Sequence, residues 1–231
     1  MPDSIYLAMT AAELQFTSPL PPKVAYMACH FSPYGTGLSN FPQHLPQEAV
    51  LILNDRTPIF GHDHDLILQQ LQSVCEAFGC AYILLDFQRQ ALEYTALIEK
   101  LSGHFQDKLI VPAQYAPPLP CPVFLPPLPV GNKLEAHIRP WAGRKLWLDI
   151  SCESAVITVT AQGSHREIFY EPNETLPIPD NALHCNYDTI VKDDHAKFIL
   201  SRTTDHLPAL MEEATSLGVD HFIGLYQQLH K

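Results

Sequence analysis

The sequence predicts an α/β protein, a (β/α)8 barrel of the TIM type with reduced outer helices and an inserted β-hairpin. Three observations predict it. The stretch from Val50 to Phe87 reads as strand, helix and strand: VLILND, then DLILQQLQSVCEAFG, then AYILLDF. Two helix-to-strand joints, AFG-CAYILLDF and SLG-VDHFIGLY, each put Gly at the helix end and open a strand at once. Eight apolar runs of strand length follow one another: VAYMAC, VLILND, YILLDF, LIVPAQ, PVFL, LWLDI, KFILSR and FIGLYQ. An open doubly wound sheet is the rival, but HFSPYGTGLSN after the first run does not open a helix with a glycine-rich phosphate fingerprint.

In chain order, residues 1–22 read as an irregular or edge segment ending in SPLPPK. KVAYMACHF is a buried strand, followed by a long Gly- and Pro-bearing loop over 32–47, a length associated with function. In the helix after VLILND, Ile67, Leu71, Val74, Cys75 and Phe78 share one face and Gly79 supplies the left-handed stop. QRQALEYTALIEKLSGHF is a second helix, with Tyr94, Leu97, Ile98 and Leu101 together. KLIVPAQY is a short strand, and the prolines of APPLPCPVFLPPLPVG leave room only for CPVFL as another. NKLEAHIRPW is a short helix and RKLWLDIS a strand. AVITVT, AQGS and HREIFYE then form a hairpin by alternation, beside or on top of the main sheet. DHLPALMEEATSLG is the last helix and HFIGLYQQL the last strand. All 231 residues are read as one barrel domain.

Composition narrows the function classes. Hydrophobic residues make up 46% and charged residues 17%, enough apolar material for one sizeable core. A net charge of −11 argues against nucleic acid and anionic membrane surfaces. No apolar run approaches the ~20 residues a membrane helix requires. Asp3 and Glu13 stand where a secretory signal carries a basic head, so the expected location is cytoplasmic. The six cysteines show no C-x-x-C spacing and read as buried small hydrophobes, not as disulfides or zinc ligands.

In a barrel the chemistry lies at the C-terminal strand ends. Those ends supply His30, Asp55, Asp86, Asp149, Gln114, Tyr115, Arg202 and Tyr226, with Gln88 just beyond Asp86. Carboxylates around one rim with aromatics beside them suit glycosidic chemistry, in which one carboxyl is the general acid and another stabilises or attacks the anomeric carbon. Asp55, Asp86 and Asp149 are the candidate catalytic residues, Asp55 or Asp149 as acid and Asp86 as stabiliser. Gln88, Gln114, Tyr115, Arg202 and Tyr226 are the candidate substrate-binding residues. Each Asp can equally cap its turn or pair with an arginine.

The strand AYILLDFQR resembles the signature strand of the chitinase-like family 18 glycoside hydrolases, whose pattern is D-G-x-D-x-D-x-E. Asp86 falls on its last Asp, while Ala81, Tyr82 and Leu84 replace the other acids and the glycine. Gln88 stands where that family keeps its acid glutamate, and an amide cannot donate a proton as a carboxylic acid does. The resemblance therefore implies a barrel that binds a glycan with impaired or absent hydrolysis, with a carbohydrate ligand and no cofactor.

The segment GHDHD offers His62 and His64 as metal ligands, in the manner of a metal-dependent hydrolase. Against that, it sits in a loop ahead of a helix, where Asp63 or Asp65 makes a natural N-cap, so no metal site is assigned. There is no G-x-S-x-G elbow, and Cys29 and His30 point to opposite faces of their strand. The other function class is a non-enzymatic scaffold, with the hairpin over 155–170 as an interaction surface or the contact of a homo-oligomer.

Overall fold

The computed structural model describes residues 5–169 and 175–230. Fourteen strands occur among them, in chain order β1 (Ile5–Met9), β2 (Val24–Phe31), β3 (Leu38–Ser39), β4 (Val50–Asn54), β5 (Tyr82–Asp86), β6 (Leu109–Pro112), β7 (Val123–Leu125), β8 (Leu146–Asp149), β9 (Glu153–Thr160), β10 (Gly163–Phe169), β11 (Ile178–Asp180), β12 (Cys185–Val191), β13 (His195–Arg202) and β14 (Val219–Leu225). The helices are α1 (Ala11–Phe16), α2 (His64–Phe78), α3 (Leu92–Phe105), α4 (Leu134–Ile138), α5 (Leu207–Ser216) and α6 (Tyr226–Leu229).

Eight parallel strands close on themselves in the order β1, β2, β4, β5, β6, β7, β8 and β14. The closing pairs are Leu7 with Val24 on one side of β1 and Ile5 with Phe222 on the other. This is a (β/α)8 barrel, and the closure removes the open-sheet alternative. The two short residues of β3 pair antiparallel along β2.

The barrel has the expected eight strands, but two elements are exchanged. IYLAM, expected as irregular, is the first barrel strand. KFILSR lies instead in β13, in a separate antiparallel sheet of order β10-β9-β13-β12-β11. The exchange has a physical reason. IYLAM is buried at all five positions and packs from both faces, so it shows no alternation to read. KFILSR is as apolar as a barrel strand but is half-exposed in a sheet with a wet side. The expected hairpin is β9 and β10, paired from Thr160 and Gly163 to Ser154 and Phe169; positions 170 and 171 lie outside the described residues. The insertion is thus a five-stranded sheet, larger than a hairpin. The last strand stops at Leu225, and Tyr226–Leu229 turn into α6.

Period-two alternation sorts the barrel's side chains into two layers. Inward residues form one cluster: Tyr6, Ala8, Ala25, Val50, Ile52, Leu84, Ile110, Trp147 and Ile223. Outward residues such as Leu51, Leu53, Ile83, Leu85 and Phe222 form a larger cluster with Ile67 and Leu71 of α2 and Leu97 and Leu101 of α3. The N-terminal end of the barrel is plugged by rings. Trp147 has its ring centroid 5.1 Å from Tyr6, 5.1 Å from Tyr82 and 4.4 Å from His221. Burial pushes the His221 imidazole down from its usual value.

The helix α2 is capped as its loop suggests. Asp63 Oδ1 accepts from the amides of Asp65 (2.9 Å) and Leu66 (3.2 Å), and Gly79 closes the other end at φ 66°. Among the described residues no helix is long and apolar enough to cross a membrane, and all six cysteines are free thiols.

Candidate functional site

The C-terminal end of the barrel opens into a cavity of about 570 Å³, within the range usual for small-ligand sites. Its floor is apolar, with Ala8, Ile52, Leu84, Phe124 and Ile223 from the inward layer. Above the floor stands a polar ring of His30, Asn54, Asp86 and Asp149, with Gln88 and Arg56 at the mouth. Alternation explains two of these directly. Tyr82, Leu84 and Asp86 face inward together, and so do Trp147 and Asp149, so both carboxylates cap columns of core side chains.

His30 arrives by a different route. The pairing of β2 with β4 slips between Tyr26 and Cys29, a bulge that reverses the alternation. Cys29 and Phe31 thereby join the outer core and His30 turns into the cavity. Asn54 holds the bulge, donating through Nδ2 to the Met27 carbonyl at 2.8 Å and accepting the Arg56 amide at 3.1 Å. The His30 Nδ1 lies 2.9 Å from the Ala28 carbonyl, to which it donates.

The electrostatics follow from a half-enclosed, mostly apolar bowl. Burial, reinforced by the charge on Asp86 and opposed by the Ile150 amide, pushes the Asp149 carboxyl up to about 8. Asp86 is raised too, first by burial and then by the charge on Asp55, against a hydrogen bond from Gln88. That bond is short: Gln88 Nε2 donates to Asp86 Oδ1 at 2.6 Å.

Asp55 has another employment. It has the opposite parity to Asn54, is 3% exposed, and accepts the backbone amides of Gln88 (3.1 Å) and Arg89 (2.8 Å) through Oδ2. Arg89 also donates to the Asp55 carbonyl and pairs with its carboxylate at 3.8 Å. Asp55 therefore lines the cavity while fixing the turn that carries Gln88.

Of the eight expected site residues, the structure brings Asp55, Asp86, Asp149 and Gln88 together. Gln114, Tyr115, Arg202 and Tyr226 lie elsewhere. Gln114 Nε2 donates to the Phe87 carbonyl at 2.6 Å, and the Tyr115 hydroxyl donates to the Arg89 carbonyl at 2.7 Å, so both brace the turn after β5 from behind. Arg202 is 1% exposed where β13 meets the barrel, donating to the carbonyls of His184 (3.2 Å) and Leu128 (2.6 Å). Tyr226 opens α6 and stacks on His230 with centroids 4.9 Å apart.

His62 is spent on structure. Its Nδ1 accepts the Phe60 amide at 3.0 Å and its Nε2 donates to the Ser32 carbonyl at 3.0 Å, tying the long loop over 32–47 to the helix entrance. Among the described residues no group of three His, Cys, Asp or Glu side chains is placed to hold a metal ion.

Sequence reasoning missed Asn54, His30's bulge, and the contribution of Thr10 and Ala11 after β1. A signal for the last was present. Thr10 and Glu13 spell the capping box that opens α1, with the Glu13 amide donating to Thr10 Oγ1 at 3.2 Å and Glu13 Oε2 accepting the Thr10 amide at 2.7 Å.

A comparison with protein-family models finds no match, and one with curated proteins finds none. Solved structures do match. The chain is similar in fold to the chitinase-like agglutinin of Robinia pseudoacacia, at 10% identity and a TM-score of 0.62, over 97% of this chain and 95% of that one. It is similar to the spore cortex-lytic enzyme SleL of Bacillus cereus, at 9% identity and 0.58, over 96% and 70% of the two chains. It is also similar to human YKL-39, described as a pseudo-chitinase with retained chitooligosaccharide binding, at 9% identity and 0.57, over 98% and 95%. The fold is thus similar to that of chitinases and chitinase-like proteins, in line with the resemblance of the strand AYILLDFQR.

Proposed function

We propose that this protein binds a glycan of the chitooligosaccharide class in the cavity at the C-terminal end of its barrel, with hydrolysis weak or absent. The observation that carries the reading is the Gln88–Asp86 pair. The position that the resemblance gives to a proton-donating glutamate holds an amide, and that amide spends a hydrogen on Asp86 at 2.6 Å. A bowl with an apolar floor and a ring of polar groups suits a sugar, whose faces are apolar and whose edges are hydroxyls. The neighbouring structures support the ligand class, since one of them is an agglutinin and another a pseudo-chitinase that retains chitooligosaccharide binding.

A second reading keeps catalysis and rests on Asp149. A carboxyl pushed up to about 8 is protonated at neutral pH and can donate, with Asp86 as the stabilising carboxylate. Titration calorimetry with chito- and malto-oligosaccharides, combined with product analysis of the same mixtures, separates the two. Binding of the chito series without products supports the first reading, and Asp86→Ala is expected to weaken it about tenfold or more. Slow cleavage that disappears in Asp149→Asn supports the second. No heat with either series overturns both.

A further inference from the structure

A second cavity, of about 650 Å³, lies on the face of the barrel opposite the glycan bowl, between the C-terminal ends of α2 and α3. Cys75 and Cys80 both line it, with His104 and Lys108. Their juxtaposition is dictated by the helix terminus. Gly79, at φ 66°, turns the chain back so that the amides of Gly79 (2.9 Å) and Cys80 (3.2 Å) both donate to the Cys75 carbonyl. Residues joined by this six-to-one bond stand side by side, and their side chains meet. An ordinary protein puts two hydrocarbon side chains there. This chain puts two thiols there, both lining the same cavity.

We propose that Cys75 and Cys80 form a redox-active dithiol, a modification site that peroxide converts to an intramolecular disulfide. The six-to-one bond from the Cys80 amide to the Cys75 carbonyl sets the two residues beside each other across the cap, and a disulfide needs Cα atoms about 4.4 to 6.8 Å apart. Cys80 is the nucleophile and Cys75 the resolving thiol. The hydrogen bond from Cys75 lowers the Cys80 thiol against the effect of burial, while that same bond and burial raise Cys75. The Cys80 thiolate attacks one oxygen of hydrogen peroxide; the O–O bond breaks, an S–O bond forms, and the departing hydroxide takes the proton to leave as water. Cys75 sulfur then attacks the Cys80 sulfenic acid; the S–S bond forms, the S–O bond breaks, and the hydroxyl leaves with the Cys75 proton as a second water. Two thiols are oxidised and one peroxide is reduced.

The other thiols serve as internal comparators. Burial pushes Cys29 up to about 12 and Cys185 to about 11, which leaves both poor nucleophiles. The test treats the intact chain with hydrogen peroxide, blocks remaining thiols by alkylation, and maps the peptides by mass. The expected result is one cross-linked peptide pair containing Cys75 and Cys80, formed about tenfold faster than any loss at Cys29, Cys121, Cys152 or Cys185, and reversed by dithiothreitol. In Cys75→Ser, Cys80 is expected to accumulate as a sulfenic acid that dimedone captures. Oxidation of all six thiols at similar rates, or separate higher acids at Cys75 and Cys80 with no cross-link, overturns the proposal. The wild-type mapping alone decides it, so a variant that fails to fold does not rescue the idea.

Discussion

At the scale of single residues, Asp149 has the clearest consequence. Its carboxyl is held at about 8 in the folded chain, against ~3.9 in an unfolded one. Below about pH 4 both states are protonated and the residue costs nothing. As pH rises towards about 8, the folded chain holds a proton that the unfolded chain has released, so this group's contribution to stability falls and stays low above that. The cost of the ionised form is on the order of 5 kcal/mol, about four pKa units at ~1.36 kcal/mol each. Asp149→Asn keeps the shape without the charge, and is expected to be more stable than the parent near pH 9 and equal to it near pH 3. Urea midpoints at the two pH values check this, and an unchanged difference between them would count against it. The sequence could mark Asp86 and Asp149 because each ends an apolar run, and alternation then aims both inward. It could not show that Asp55 spends its carboxylate on two amides, since Gln88 and Arg89 are 33 and 34 positions away. Nor could it show the bulge that aims His30, because the slip belongs to the pairing of two strands.

At the scale of elements, the joint between β14 and α6 is tightly packed. A Cβ at Gly224 would stand 2.7 Å from the Ile150 carbonyl and 2.5 Å from Leu229 Cδ1. Leu229 is buried and can move only by disturbing the outer core, and the carbonyl accepts nothing from carbon. Gly224→Ala is expected to cost about 1 to 3 kcal/mol, read as a lower urea midpoint. Because Gly224 lines the cavity at the C-terminal end of the barrel, the same variant is expected to weaken the proposed glycan binding in titration calorimetry. A variant with parental stability would show that the strand can shift freely. Helices with strong periodicity were legible in the sequence to within a few residues, as α2, α3 and α5 show. β1 and β13 were exchanged because burial on both faces erases the alternation that identifies a strand, while a long apolar run in a half-wet sheet imitates a buried one.

At the scale of the whole molecule, β1 is the closing stave. It pairs with β2 on one side and β14 on the other, and without it the remaining seven parallel strands have two open edges. Removing residues 1–10 is expected to abolish cooperative unfolding and to expose apolar surface, seen as binding of a hydrophobic dye with far-ultraviolet dichroism partly kept. A truncated chain that unfolds sharply at the parental midpoint would show that the seam is dispensable. The ring of Tyr6, Tyr82, Trp147 and His221 has a further meaning for traffic. It makes the barrel a vessel with a single door. Whatever enters the bowl must leave by the way it came, past Arg56 and Gln88, so a long chain of sugars can lodge only by one end or lie across the opening; it cannot thread through. Residence time is then governed at the lip of the vessel, and the rate of escape is expected to respond to substitutions there while the floor stays as it is.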